Sequence, residues 1–154
     1  MKINFTKKQF EVLLKAMYMG NWMANAHRTG RKGDERIKKY DELEKYLLSF
    51  AKEFGLEKYV DDEDDEIYPS GELEESEVDG IIDEYNEREF WEELVDRFAR
   101  RDFIRKYGLE AIFKMDTMER IKKEHLLLNE YYDEVYKYGI DRMEVIKDED
   151  DKKY

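Results

Sequence analysis

The groups in this 154-residue sequence with chemistry for proton transfer or metal binding are two histidines and 40 carboxylates; there is no cysteine. At helical spacing, His27 and His125 each fall on the apolar stripe of a helix. Were those two helices packed together, the imidazoles would meet beside Asn21 or Asn25. Glu124 would be a neighbouring carboxylate, a set able to hold zinc or iron or to work as a general base. Neither histidine stands in an HExxH or ExxH spacing. The favoured reading is therefore structural, with His27 at the C-terminal end of its own helix and His125 a hydrogen-bonded core residue.

Carboxylates form a second candidate. Glu72-x-x-Glu75 is followed by Glu93-x-x-Asp96, and pairs one helical turn apart on facing helices can share Mg²⁺ with a substrate's phosphates. The pattern resembles the ExxE…ExxD arrangement of helical nucleotide pyrophosphatases of the MazG type. That resemblance implies magnesium held by Glu72, Glu75, Glu93 and Asp96, and hydrolysis of a nucleotide or another phosphorylated small molecule. The opposing reading comes from position. Glu93 and Asp96 lie off the Phe90/Leu94/Phe98 stripe, and Arg97 and Arg100 follow each at i+4, the spacing of a salt-bridged outer face. The expectation is that no metal or other cofactor is bound, with the magnesium set as the alternative.

Two basic clusters could grip phosphates or an acidic partner: Arg28, Arg31, Lys32, Arg36, Lys38 and Lys39, and then Arg97, Arg100, Arg101, Arg105 and Lys106. In a chain of net charge −12 they are expected to pair with the protein's own acids, and nucleic acid is not an expected partner. Tyr18 and Trp22 share a helix side with Glu11 and Lys15. An aromatic pair there needs cover from the protein itself or from a partner, and Trp22 is the residue to test as a contact. Asn21, Asn25 and His27 complete a polar end of the same helix. With Tyr18, Trp22 and His125 they make up the candidate binding residues; no catalytic residue is assigned.

The elements that carry these groups are mainly helical. Thr6 with Gln9 is a capping box that opens the first helix. The run Ala16–His27 has no formal charge, in a protein of which 44% is charged. An apolar pattern nearly all round predicts that this helix is buried and central. Ala16, Gly20 and Ala24 form a small-residue ridge against which a second helix is expected to pack closely. Asp34 is expected to cap a second helix with the stripe Ile37, Tyr40, Leu43, Leu47, Phe50, Ala51 and Phe54. Gly55 ends it, with Leu56 as the hydrophobe after a Schellman turn. Similar stops recur at Gly108 and Gly139. The acidic run 61–66 and the residues to about 72 read as a loop. A short helix over about 74–85 and a longer one opened by Asn86 and Glu89 follow. Arg101, Asp102 and Arg105 fall on the apolar side of the latter, so either the helix bends there or those charges meet at a protected site. A turn or two of helix over 109–115 comes next. Asp116 then caps a last helix that turns Met118, Ile121, His125, Leu128, Tyr132 and Val135 inward. Residues 1–5 and 143–146 could pair as two short strands.

These observations imply an all-α fold. They give five or six helices in a bundle around a buried first helix, with at most a two-stranded pairing of the terminal segments. The domain is expected to span residues 1–146, with 147–154 a charged tail. Aromatic content of 14% excludes a disordered chain. No apolar stretch reads as a signal peptide or bilayer span, and the lack of cysteine suits a cytoplasmic location. Abundant Glu and Lys with a single Gln is a composition common in thermophiles. For function, the leading expectation is a small non-catalytic protein–protein interaction or regulatory module, with a protein partner or a second copy of itself and no membrane. The alternative is the metal-dependent hydrolase.

Overall fold

The structure is a computed structural model, and it describes residues 3–63 and 66–144. It is mostly helical. Six α-helices run in the order α1 (Lys7–Asn25), α2 (Lys38–Leu48), α3 (Gly71–Glu74), α4 (Glu77–Tyr107), α5 (Leu109–Lys114) and α6 (Thr117–Tyr138). Between α2 and α3 lies a two-stranded antiparallel sheet, β1 (Val60–Glu63) and β2 (Glu66–Pro69). The chain divides into two compact units, residues 1–85 and 86–154, and the boundary falls within α4. Among the described residues no helix is long and apolar enough to cross a membrane.

The first unit is built from local signals that the sequence states clearly. Thr6 and Gln9 exchange both hydrogen bonds of the capping box and start α1. After α2 the chain makes a 3₁₀ turn, Ala51–Phe54, and Gly55 adopts the left-handed conformation at φ 64°, ψ 43°. Leu56 N–H then donates to Ala51 O and Gly55 N–H to Lys52 O, the double bond of a Schellman end. Leu56, delivered inward by that turn, is 1% exposed. It joins Phe10, Leu14, Leu48, Ala51, Tyr59 and Leu73 in one core. Phe10 and Phe54 stack with ring centroids 4.0 Å apart, and Tyr59 OH donates to Glu11 at 2.7 Å.

Four expectations are corrected here. The first helix is not buried all round: α1 turns Phe10, Leu14, Asn21 and Asn25 inward, while Val12 and Met23 are 63% and 57% exposed. One stripe is fully buried, Leu13 and Tyr18 pack partly against the same core, and Val12 and Met23 ride outside. Among the described residues no second helix packs closely on the small-residue ridge at Gly20, where a Cβ would meet no atom within 4 Å. Asp34 does not cap α2. It accepts from the N–H and Oγ of Thr29, both at 2.8 Å, and Asn25 serves the entry of α2 instead. Most of the acidic run is strand: Asp61, Asp62 and Glu63 pair with Tyr68, Ile67 and Glu66 across the sheet, and Val60 pairs with Pro69, while residues 64–65 lie outside the described residues. Ile67 and Val60 pack on the core, which holds the strands in place despite their charge. Of the terminal strand pair, residues 3–5 lack strand structure, and residues 145–146 lie outside the described residues.

In the second unit α4 continues unbroken through Asn86, where a helix start was expected. Val95, Ala99 and Phe103 of α4 and Val135 of α6 are buried. Arg101, Asp102 and Arg105 meet at the surface instead of at a protected site: both arginines are exposed and only Asp102 is half-buried. Asp102 accepts from Arg101 at 2.8 and 3.0 Å and from Arg105 at 3.2 Å, and it takes the Tyr131 hydroxyl from α6. Arg101, then Tyr131, hold the Asp102 carboxyl well below the usual carboxylate range. Met118, Ile121 and Tyr132 of α6, expected inward, are 60%, 48% and 42% exposed. Asp116 does cap this helix, accepting from Met118 and Glu119 N–H groups.

Candidate functional site

The polar end of α1 is where buried polar groups converge. Asn21 and Asn25 sit one turn apart on the buried stripe, 6% and 0% exposed. Asn25 Oδ1 accepts the Ile37 N–H at 2.7 Å, which fixes Oδ1 as the acceptor and Nδ2 as the donor. Asn25 Nδ2 donates to Asn21 Oδ1 at 2.8 Å, and Asn21 Nδ2 donates to Glu44 Oε2 at 2.7 Å. The backbone of the α1–α2 connection therefore sets, amide by amide, which carboxylate oxygen of Glu44 receives a hydrogen bond.

Glu44 was not among the expected site residues, yet it is the most perturbed group here. It is a carboxylic acid 9% exposed, and its Oε1 is buried with no hydrogen-bond partner. Burial pushes its pKa up to about 7 against the pull of Asn21, with the nearby Asp41 raising it further. The signal for Glu44 was present in the sequence. It lies seven residues from Ile37, four from Leu48 and seven from Ala51, in the middle of a helical stripe whose other members are apolar.

Glu44 lines a cleft of about 440 Å³ bounded also by Tyr18, Trp22, Arg36, Asp41, Lys45, Tyr68 and Glu74. Its cations are already matched. Arg36 grips Asp41 through two bonds of 2.6 and 3.1 Å, a fork that holds the Asp41 carboxyl below its ordinary range. Lys45 pairs with Glu66 at 2.6 Å and sits 4.9 Å from the Tyr68 ring centroid. Burial, then Glu74, raise the Tyr18 hydroxyl. Tyr18 packs against the core of its own unit, while Trp22 is half-buried on the cleft wall.

The structure thus brings together Tyr18, Trp22, Asn21 and Asn25 and leaves the histidines outside. His27, just beyond α1, and His125, on α6, are both exposed; neither lies on the inward stripe assigned to it, because only part of each helix's apolar residues is covered within its unit. Glu72, Glu75, Glu93 and Asp96 are exposed as well. Glu72 stands 3.5 Å from Lys58 and Glu93 2.8 Å from Arg97. Among the described residues no group of three or more His, Asp or Glu is placed to hold a metal ion. In the first basic cluster, besides the Arg36 pair, Arg28 donates to Ala24 O at 3.0 Å. No protein-family model, curated protein or solved structure matches this chain.

Proposed function

We propose that the protein is a non-catalytic binding module whose recognition surface is the cleft framed by α1, α2, α3 and β2. The observation that carries this reading is the half-buried Trp22 on the cleft wall, with Tyr18, Tyr68 and Pro69 around the same opening. Aromatic side chains give large contact area at low entropic cost, and they dominate recognition energies when seated in a pocket beside polar groups. The Asn25–Asn21–Glu44 chain beneath them is rigid by construction, since each member is tied to the next. A ligand there meets a preformed wall.

Peptide selection tests the reading. Panning an unbiased peptide library on the whole protein, followed by amide chemical-shift mapping, should give ligands that perturb residues 18–26, 36–45 and 67–74. Trp22→Ala, with its circular dichroism unchanged, should weaken those ligands by about tenfold or more, the loss of one hot-spot side chain. Ligands that map elsewhere, or that bind the Trp22→Ala protein equally well, would overturn it.

A further inference from the structure

We propose that this cleft takes an organic cation, an alkylammonium or alkylguanidinium head group, held by Glu44 and Glu74 against the faces of Trp22 and Tyr18. The inference rests on the binding-module reading and adds to it the chemistry of the ligand.

Charge matching selects the sign. Every group that faces Glu44 can be named: Tyr18 and Asn21 from α1, Arg36 from the connection, Asp41 and Lys45 from α2, Tyr68 from β2 and Glu74 from α3. Asp41 neutralises Arg36 and Glu66 neutralises Lys45. Among the described residues that leaves Glu44 and Glu74 as the carboxylates of the cleft without a salt bridge of their own, with Arg36 acting on Glu44 at longer range, together with the neutral aromatic rings. An anion entering here would meet two carboxylates and cations already paired with Asp41 and Glu66. An ammonium would find both charge and π faces, and the cleft already holds one such contact, Lys45 beside Tyr68.

Glu44 supplies the second, independent observation. Its Oε1 is a buried polar atom without a partner, an arrangement that costs stability. The terminal torsion of a glutamate side chain is soft, so Oε1 can turn to an N–H donor in the cleft while the Asn21 amide remains a donor to the same carboxylate. The alkyl chain behind the head group would then lie along Trp22. A free amine and a lysine or arginine side chain present the same head group, and the experiment separates them.

The probes are n-butylammonium, a blocked nonapeptide with one central lysine, and uncharged n-butanol. They are titrated at constant ionic strength into the Trp91→Phe protein, whose remaining indole is Trp22. Butylammonium should shift Trp22 emission with a dissociation constant of the order of 1 mM, the level reachable by so few atoms. Affinity should rise about tenfold from pH 6 to pH 8, as the ionised fraction of a carboxyl titrating at about 7 increases, while the amine stays charged throughout. Glu44→Gln should abolish that pH dependence, and the surface substitution Glu74→Gln should weaken binding about threefold, the loss of one exposed charge. Equal affinities for butylammonium and the peptide would assign the site to a free amine; a peptide at least tenfold tighter would assign it to a partner's side chain. Binding without pH dependence, or n-butanol binding as well as butylammonium, overturns the cation assignment. In that case the module reading stands if Trp22 still reports the ligand. Silence from every probe also overturns the assignment, whereas the module reading falls if selected peptides map to another surface or bind the Trp22→Ala protein equally well.

Discussion

A single buried acid dominates the residue scale. Glu44 titrates higher in the folded chain than the ordinary carboxylate value of 4.5, at about 7, so the native state binds its proton more tightly than the unfolded state does. The stability this contributes is complete below about pH 4.5 and declines as pH rises to about 7, after which it is level. The whole loss is about 3 kcal/mol, of which roughly 2 kcal/mol falls between pH 5 and 8. Urea unfolding of the wild type and of Glu44→Gln between pH 5 and 8 checks it. The difference between the two proteins should change by that amount across the window, whatever constant offset the buried Gln N–H adds. A difference that does not vary with pH would show that Glu44 is ionised at pH 5. Neighbouring Asn21 and Asn25 were legible as polar groups in need of partners because they interrupt an apolar run. Glu44 escaped notice because a glutamate in a helix with acids and lysines on either side reads as outer surface. Only its place between Ile37, Leu48 and Ala51 marks it as inward.

At the scale of elements, the glycines give opposed outcomes that separate sequence expectation from structure. Gly20 lies within α1 with open space around its missing Cβ, whereas Gly55 holds φ +64° and a Cβ there would stand 3.3 Å from Lys7 Nζ. Gly20→Ala should stabilise the protein by about 0.5–1 kcal/mol through helix propensity. Gly55→Ala should destabilise it by about 1–2 kcal/mol through left-handed strain. Thermal denaturation of both variants checks the signs, and a destabilised Gly20→Ala would restore the close-packed ridge that the spacing suggested. Boundaries set by local chemistry were readable: the Thr6–Gln9 box, the Gly55 stop with Leu56, the Asp116 cap and the Gly108 and Gly139 ends. Elements set by tertiary context were not. β1 and β2 carry too many acids for a hydrophobic alternation to show, and among the described residues of the hairpin it is Val60 and Ile67 that pack on the core. In α4, Asn86 offers a start signal that the continuing helix overrides.

The whole molecule is two units whose internal chemistry differs. The first encloses a core whose buried members all lie between Phe10 and Leu73, closed by contacts such as Lys7 to Gly55 O and Tyr59 to Glu11. A fragment ending at Tyr85 should therefore retain helical circular dichroism and a cooperative urea transition. A fragment without a sigmoidal transition would show that residues 86–154 are needed to complete the core. The second unit ties α4 to α6 through Asp102 and Tyr131, and leaves apolar side chains such as Phe113 and Leu126 83% and 71% exposed. This division was not legible in the sequence. The apolar stripes of α4 and α6 fit one bundle as readily as two units, and periodicity reports which face of a helix is apolar without saying what covers it.

The chain has two tryptophans, and the fold assigns one to each unit. Trp22 stands on the wall of the cleft that contains Glu44, while the Trp91 indole N–H is bonded to Glu87 at 2.6 Å along α4. Each unit therefore carries its own light source. Emission from Trp22 will follow the Glu44 proton and whatever enters the cleft, and emission from Trp91 will not. The order in which the two signals change on heating gives the order in which the two units unfold.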